Sequence, residues 1–563
     1  MNWICFSFSW KFFYLVIGFS LYFNVHVFSQ SYSEVGLLNG INGTCGDCEY
    51  GGGVSFVDFD GDGLDDLTFG TELGQNLIFY KNTGSGFELL EAPVDNFDEN
   101  KQILWFDLEN DGDKDLFVVN YQAPNRLYLN NGNFNFSDIT ESAGIILEDT
   151  PSFSAAIGDV DNDGLLDIFV SSYSLNNFQN RLYRNNGDNS FSEISGSAGL
   201  PDNYVLPNAT AFFDFNNNGL QDLFIGNDNL AFLNQMLKNL GDGTFEDVSS
   251  SSNLDVAMDA MNAGIADYDN DGDLDIYVTN KVSENQLFRN NGDETFTEIA
   301  SQVGVDNQIN QLTWGGNFFD CDNDLDLDLY VSSSLKTADF PSKLFINDLG
   351  SGNFSTILLE NDTLSSFANA IGDFNLDGLM DIVVNNAIVN NIPDNEDVFQ
   401  LWQNTTSNAN NWLKVFLVGT ESNRDGIGSW IEMYINGQKY VRYKHCGIAY
   451  MAQNSNLEHF GMGPFTEADS VIVRWLSGNA DIFYDVTANQ ILTIVEGSSP
   501  IINCDEANIS APVSMDVSIC DGDEIPALEA TAEAGYEVYW YGNPTGGPLL
   551  VSNSTTYTPT GAG

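Results

Sequence analysis

Seven short segments of this chain carry oxygen-bearing side chains at one fixed spacing. Counted from the first aspartate, positions one, three, five and nine are Asp58, Asp60, Asp62 and Asp66 in the first segment, and Asp107, Glu109, Asp111 and Asp115 in the second. The third has Asp159, Asp161, Asp163 and Asp167, and the fourth Asp214, Asn216, Asn218 and Asp222. The fifth has Asp267, Asp269, Asp271 and Asp275, the sixth Asp320, Asp322, Asp324 and Asp328, and the seventh Asp373, Asn375, Asp377 and Asp381. Position seven is Leu64, Asp113, Leu165, Leu220, Asp273, Asp326 or Leu379, a place from which a backbone carbonyl can join the ligands. Position six is glycine except at Leu325. Alternate side chains in a tight turn converge on one point, and glycine supplies the dihedral that turns the chain there. Hard oxygen ligands in this number suit calcium, which takes six to eight oxygens, better than magnesium, which keeps more water. No His or Cys stands at these positions, which disfavours zinc.

Positions one, three, five, seven and nine hold 28 carboxylates across the seven loops. Four or five carboxylates in one turn repel one another unless a cation sits among them. Up to seven calcium ions are therefore expected. Charge count and turn geometry rank the sites. The second and fifth loops carry five acids and a turn glycine and should bind tightly. The fourth, with Asn216 and Asn218, should be weakest. In the sixth, Leu325 must strain the backbone or change its path.

An EF-hand is excluded, because it needs flanking helices and a Glu at position twelve, where this chain has Phe69, Val118 or Val278. What holds the loops is instead a repeat. Their first aspartates recur at intervals of 49, 52, 55, 53, 53 and 53 residues, close to one four-stranded propeller blade. After each loop comes an apolar run such as Leu116–Val119 or Ile276–Val278, then a second strand and an Asn-Asn-Gly turn, as at Arg181–Gly187, then a strand opening on an aromatic such as Phe191. Helical periodicity is absent. The expected fold is all-β: a seven-bladed β-propeller over residues 31–411, followed by a small β-domain over 412–498 and a partial Ig-like β-sandwich over 499–563.

The pattern Asp-x-Asp-x-Asp-Gly-x-x-Asp-Leu/Ile at this period resembles the FG-GAP/VCBS repeat family, as in the propellers of integrin α-chains. That resemblance implies calcium in the loops of a propeller rim. The later segment Ser422–Gly428, with Gln453–Asn456, His459–Gly463, Val471–Trp475 and Ala488–Gln490, resembles the ASPIC/UnbV domain, found after FG-GAP repeats in proteins of the cartilage acidic protein type. Leu476-Ser-Gly478 departs mildly from that family's Pro-Ser-Gly. No activity follows from this second resemblance.

Net charge is −63, from 81 Asp plus Glu against 18 Lys plus Arg. Such a surface repels nucleic-acid phosphate and anionic membrane. Residues 1–30 read as a signal peptide, with Lys11 before the apolar run Phe12–Phe23. The mature chain is expected to be secreted or at the cell surface, with no membrane insertion. Cys45-Gly-Asp-Cys48 has redox or zinc spacing without a βαβ context or a second pair, so a local disulfide or free thiols are expected. Arg424, Asp425 and His459 form an imaginable site, with packing and turn roles as the alternative. The functional expectation is a calcium-binding scaffold, not an enzyme, that binds an extracellular glycan or surface protein. The competing reading is a calcium-dependent polysaccharide lyase or glycosidase, and a third is a spacer between domains. Basic residues are too scattered for a lyase, and abundant acids leave a carboxylate pair open. Oligomeric state is not encoded in these features.

Overall fold

The computed structural model describes residues 30–499, apart from 175–177, 202–204, 308–310, 335–340, 349–352 and 389–397, together with five strands beyond residue 500. The expected signal peptide, Gln30 excepted, lies outside the described residues, as do Cys504 and Cys520. Two compact units result, Met1–Ser499 and Pro500–Gly563. In the second, Leu528–Thr531 pairs antiparallel with Val513–Ser514 and Thr556–Tyr557, and Trp540–Asn543 with Gly546–Val551.

The first unit is an all-β propeller with a second β-domain seated on it. Each acidic loop joins the first and second strands of an antiparallel meander. In the third sheet, for example, Ala155–Gly158, Asp167–Val170, Arg181–Asn185 and Phe191–Glu193 follow in order. Seven sheets of this kind occur among the described residues, one per loop. The last is completed by the start of the chain, since Tyr32–Glu34 pairs with Gln400–Asn404 outside Asp381–Asn386. A sheet that takes its outer strand from the other end of the repeat region fastens the ring at the seam. The first strands, such as Val54–Val57 and Ala155–Gly158, are buried along their whole length. Their side chains fill the space between neighbouring sheets, as where Leu104 and Phe106 meet Ala155 and Ile157.

The second domain has a three-stranded sheet, ordered Glu458–Gly463, Asn411–Val418, Gln490–Val495, with a parallel pair between the last two. Its four-stranded sheet runs Gln438–Tyr443, Trp430–Ile435, Glu467–Arg474, Ala480–Thr487. The change of character at residue 411 marks where the repeat sheets end, but packing runs straight across it. Residues 445–455 enter the middle of the ring. Tyr450 and Met451 are fully buried among Trp314 and Phe367, on strands of two sheets, and Phe153 and Met261, just ahead of the first strands of two others. Ala452–Gln453 adds a parallel strand to Val54–Val57, and Gln453 Oε1 accepts from Trp105 N at 2.7 Å. A ring with its own complete core, as the 31–411 boundary implies, is therefore not what the packing shows: the axis is filled by the following domain.

Candidate metal centre

One hydrogen-bond frame recurs in all seven loops. The position-one aspartate accepts from the position-five amide at 2.9–3.1 Å and the position-six amide at 2.8–3.0 Å. The position-five side chain accepts from the position-seven amide at 2.8–3.1 Å, so Leu64, Leu165, Leu220 and Leu379 are held by their backbone. At position nine Asp66, Asp115, Asp167, Asp222, Asp275, Asp328 and Asp381 are buried at the head of the second strand. Each accepts from the position-two amide and from an asparagine amide on the third strand, the latter at 2.7–2.8 Å.

Of those asparagines, Asn185 reads from sequence as part of an Asn-Asn-Gly turn, and the structure gives the series a further task. The side-chain amides of Asn82, Asn185, Asn239, Asn290, Asn347 and Asn404 donate to the position-two carbonyl of the preceding loop, at 2.7–3.2 Å. Asn82 thereby ties the first sheet to the seventh loop through Phe374. A second series, unremarked in the sequence, sits at position four. Asn110, Asn162, Asn217, Asn270 and Asn323 adopt left-handed φ of 54–61°, which asparagine tolerates better than most residues. Each donates to the position-six carbonyl of the next loop at 2.9–3.5 Å. Recurrence of Asn one residue before position five was the available signal.

The expected ligands come together in four of the seven loops; among the described residues the acids of the second loop, expected to be tight, and of the seventh form no such cluster of three, and the fourth has only two acids. Asp58, Asp60 and Asp62 place one oxygen each within 4.8 Å of one another, as do Asp159, Asp161 and Asp167, then Asp267, Asp269 and Asp271, then Asp320, Asp322 and Asp328. Oxygens 2.3–2.6 Å from one calcium ion are spaced within about 5 Å. At position three, Glu109 Oε2, Asp161 Oδ1, Asn216 Oδ1, Asp269 Oδ1 and Asp322 Oδ1 are buried without a hydrogen-bond partner. A buried oxygen with no donor is costly, and a cation removes the deficit. Burial raises the carboxyls of Asp66 and Asp115 to about 8, and with neighbouring acids those of Asp159 and Asp267 to about 7. The fourth loop offers only Asp214 and Asp222 as charges, and Asp214 also accepts from Trp430 Nε1 at 3.2 Å.

Leu325 keeps the path of the glycines. Its φ is +87°, against +83° to +103° at the six glycines. The side chain is buried with Leu413, Val415 and Phe460 of the second domain. Of the two outcomes expected there, strain rather than rerouting is realised.

The second domain covers most of the loop face. Asp425 accepts from Asp107 N at 2.9 Å, Leu476 O from Asn162, Asn217 Oδ1 from Arg474, and Asn323 O from Gly463 N. A Cβ on Gly272 would meet the Lys439 ammonium at 2.4 Å, and one on Gly378 the Trp412 indole at 1.9 Å. Lys414 pairs with Asp373 in full burial. The first loop is the least covered: Asp60 and Asp62 are exposed, as are Asn375 and Asp377 of the seventh loop, and a Cβ on Gly61 or Gly63 would meet nothing within 4 Å, as would one on Gly219 of the fourth. Arg424 and Asp425 belong to the second loop's surroundings. His459 pairs in register with Lys414 beside the seventh loop, and burial lowers its pKa well below the usual range, so the three do not form one site. Cys45 and Cys48 form a local disulfide.

The fold and loops define a β-propeller built from aspartate-loop repeats. Family models agree on its parts: the chain carries FG-GAP-like repeats, matched at residues 107–170, 214–278 and 267–331, and an ASPIC and UnbV domain at 419–501. It is similar to cartilage acidic protein 1 of Xenopus tropicalis, at 26% identity over 46% of this chain and 40% of that protein, and of Homo sapiens, at 22% over 79% and 62%. The chain thus spans less than two thirds of those relatives. Among solved structures, BBS1N in complex with ARL6DN aligns with 68% of this chain and 99% of its own at 11% identity, TM-score 0.43. YCF48 from Cyanidioschyzon merolae aligns with 66% and 98% at 11%, TM-score 0.39. No helix among the described residues is long and apolar enough to cross a membrane.

Proposed function

We propose that this protein is an extracellular, calcium-loaded scaffold that binds a glycan or surface protein and performs no catalysis. The observation that carries the calcium reading is the set of position-three oxygens left without donors in five loops. The position-seven carbonyl supplies a further ligand. Because the second domain covers most loops, the ions rigidify the face rather than meet the partner, which leaves the first loop and the opposite face for recognition. The local disulfide supports an oxidising compartment. Calcium bound only to the folded state stabilises it by about 2.7 kcal/mol per site at a hundredfold excess over Kd. Melting in excess EDTA should fall by many degrees relative to millimolar calcium. An unchanged melting temperature would reject the calcium reading, and reproducible turnover of polysaccharides would reject the scaffold.

A further inference from the structure

The uncovered first loop opens on a cleft of about 630 Å³ between the first two loops and the second domain. Its apolar side is built by Phe59 and Phe134, stacked at 4.8 Å, and by Phe416 and Ile491 across from them. Phe416 and Ile491 are more than a third exposed. Its charged side holds Lys114 and Arg424, paired with Asp425 and Asp107, and Asp65, which occupies position eight, off the ligand series. The other loops have Lys114, Leu166, Gln221, Leu274, Leu327 or Met380 there.

Asp65 is 4% exposed, and no donor reaches its Oδ2. The Ser455 hydroxyl hydrogen-bonds the carboxyl but carries no charge, and Lys414, a nearby cation, is paired with Asp373. A buried carboxylate with one oxygen lacking a donor and only a neutral partner on the other is stabilised most by a charged donor. An apolar wall next to it suits the alkyl stem of a long basic side chain. We propose that this cleft binds a lysine or arginine side chain presented by an apolar peptide segment of a partner protein. The net charge of −63 draws such segments in, and the Asp65 carboxylate with the Phe416–Ile491 wall selects them. This deepens the scaffold reading by naming the partner's chemistry, and it does not need the first loop to hold calcium.

The test is a titration of the full chain, in calcium and about 150 mM salt to screen diffuse attraction, with acetyl-Phe-Lys-Phe-amide, its norleucine analogue and spermidine. The lysine peptide should bind saturably and at least tenfold more tightly than either. Asp65→Asn, which removes one charge of many, should erase the preference over norleucine. Phe416→Ser, at an exposed position, should weaken the lysine peptide several-fold with melting unchanged. Equal binding of the norleucine peptide, or an Asp65→Asn chain that keeps the preference, would overturn the proposal. Spermidine binding as tightly as the peptide would replace the protein partner with a small polyamine and also overturn it. Calcium-dependent melting of the same sample reports separately on the scaffold's ions.

Discussion

The first and seventh loops are neighbours around the ring, joined by Asn82, and each has a lysine at its acids. Lys81 comes from the third strand of the loop's own sheet and reaches Asp60 and Asp62, the latter at 3.0 Å, with all three side chains 21–35% exposed. Lys414 comes from the second domain and meets Asp373 with both side chains 1% exposed. The same pair of charges is thus nearly optional in one loop and structural in the other. An exposed pair gains little over hydration, whereas a sealed one cannot lose a partner without stranding a charge. The covering domain, not the loop motif, sets this difference.

The largest expected effect concerns the buried position-nine carboxyls of the loops together. In chelated protein, Asp66 and Asp115 carry carboxyls raised by burial to about 8, well above the unfolded range near 4. A raised carboxyl contributes stability in full below the unfolded value, and that contribution is lost as pH rises through the folded one. Melting in EDTA should therefore fall steadily from pH 4 to pH 8. Calcium favours the charged forms, so melting in calcium should hold level or rise over the same range, and protons should be released on binding. Parallel pH profiles with and without EDTA would remove the carboxylates from the account.

Next in size is Lys414→Met. Leaving Asp373 buried and unpaired should cost about 3–5 kcal/mol, read as a drop in denaturation midpoint in EDTA. If calcium takes over as counter-ion in the seventh loop, most of that loss should be recovered in calcium. A loss identical in both conditions assigns the seventh loop to lysine alone. Leu325→Gly comes third. Releasing a left-handed leucine returns about 1–2 kcal/mol, and exposing its contacts with Leu413 and Phe460 removes roughly 2–4 kcal/mol. The net should be a loss of about 1–2 kcal/mol, and a gain would show that the second domain does not grip the sixth loop.

How much of this was legible follows from which contacts are local. Within each loop the frame joins residues two to seven apart, so its spacing and turn glycines stand in the sequence, as do the strands on either side. Leu325 could be flagged there but not decided, because its burial depends on Leu413 and Phe460 some ninety to 135 residues later. The asparagine ties join residues about 55 to 80 apart, except at the closing seam. They repeat in register and could have been found by asking what recurs besides acids. The Tyr450 plug could not, since an apolar segment in a non-repeating domain carries no mark of the ring it enters. The cover over the loops has the same cause: Arg424, Lys439, Lys414 and Arg474 are scattered in sequence and meet only through two folds.

Lys81→Ala should have the smallest effect, and it bears most directly on the contrast between the two lysines. The pair is exposed and salt-screened, and such pairs contribute about 0–1 kcal/mol. In calcium the ion satisfies Asp60 and Asp62 itself, so the variant should melt with the parent. In EDTA it should lose at most a degree or two, and less at high salt. Its informative readout is calcium affinity at the first loop. Lys81 competes with the ion for two of the ligands, so removing it should tighten that one site several-fold and leave the others unchanged. Site-resolved titration, for example by amide shifts of Gly61 and Gly63, would show it. An unchanged first site would mean that lysine and calcium do not share those carboxylates. A stability loss as large as that of Lys414→Met would mean that burial does not separate the two loops.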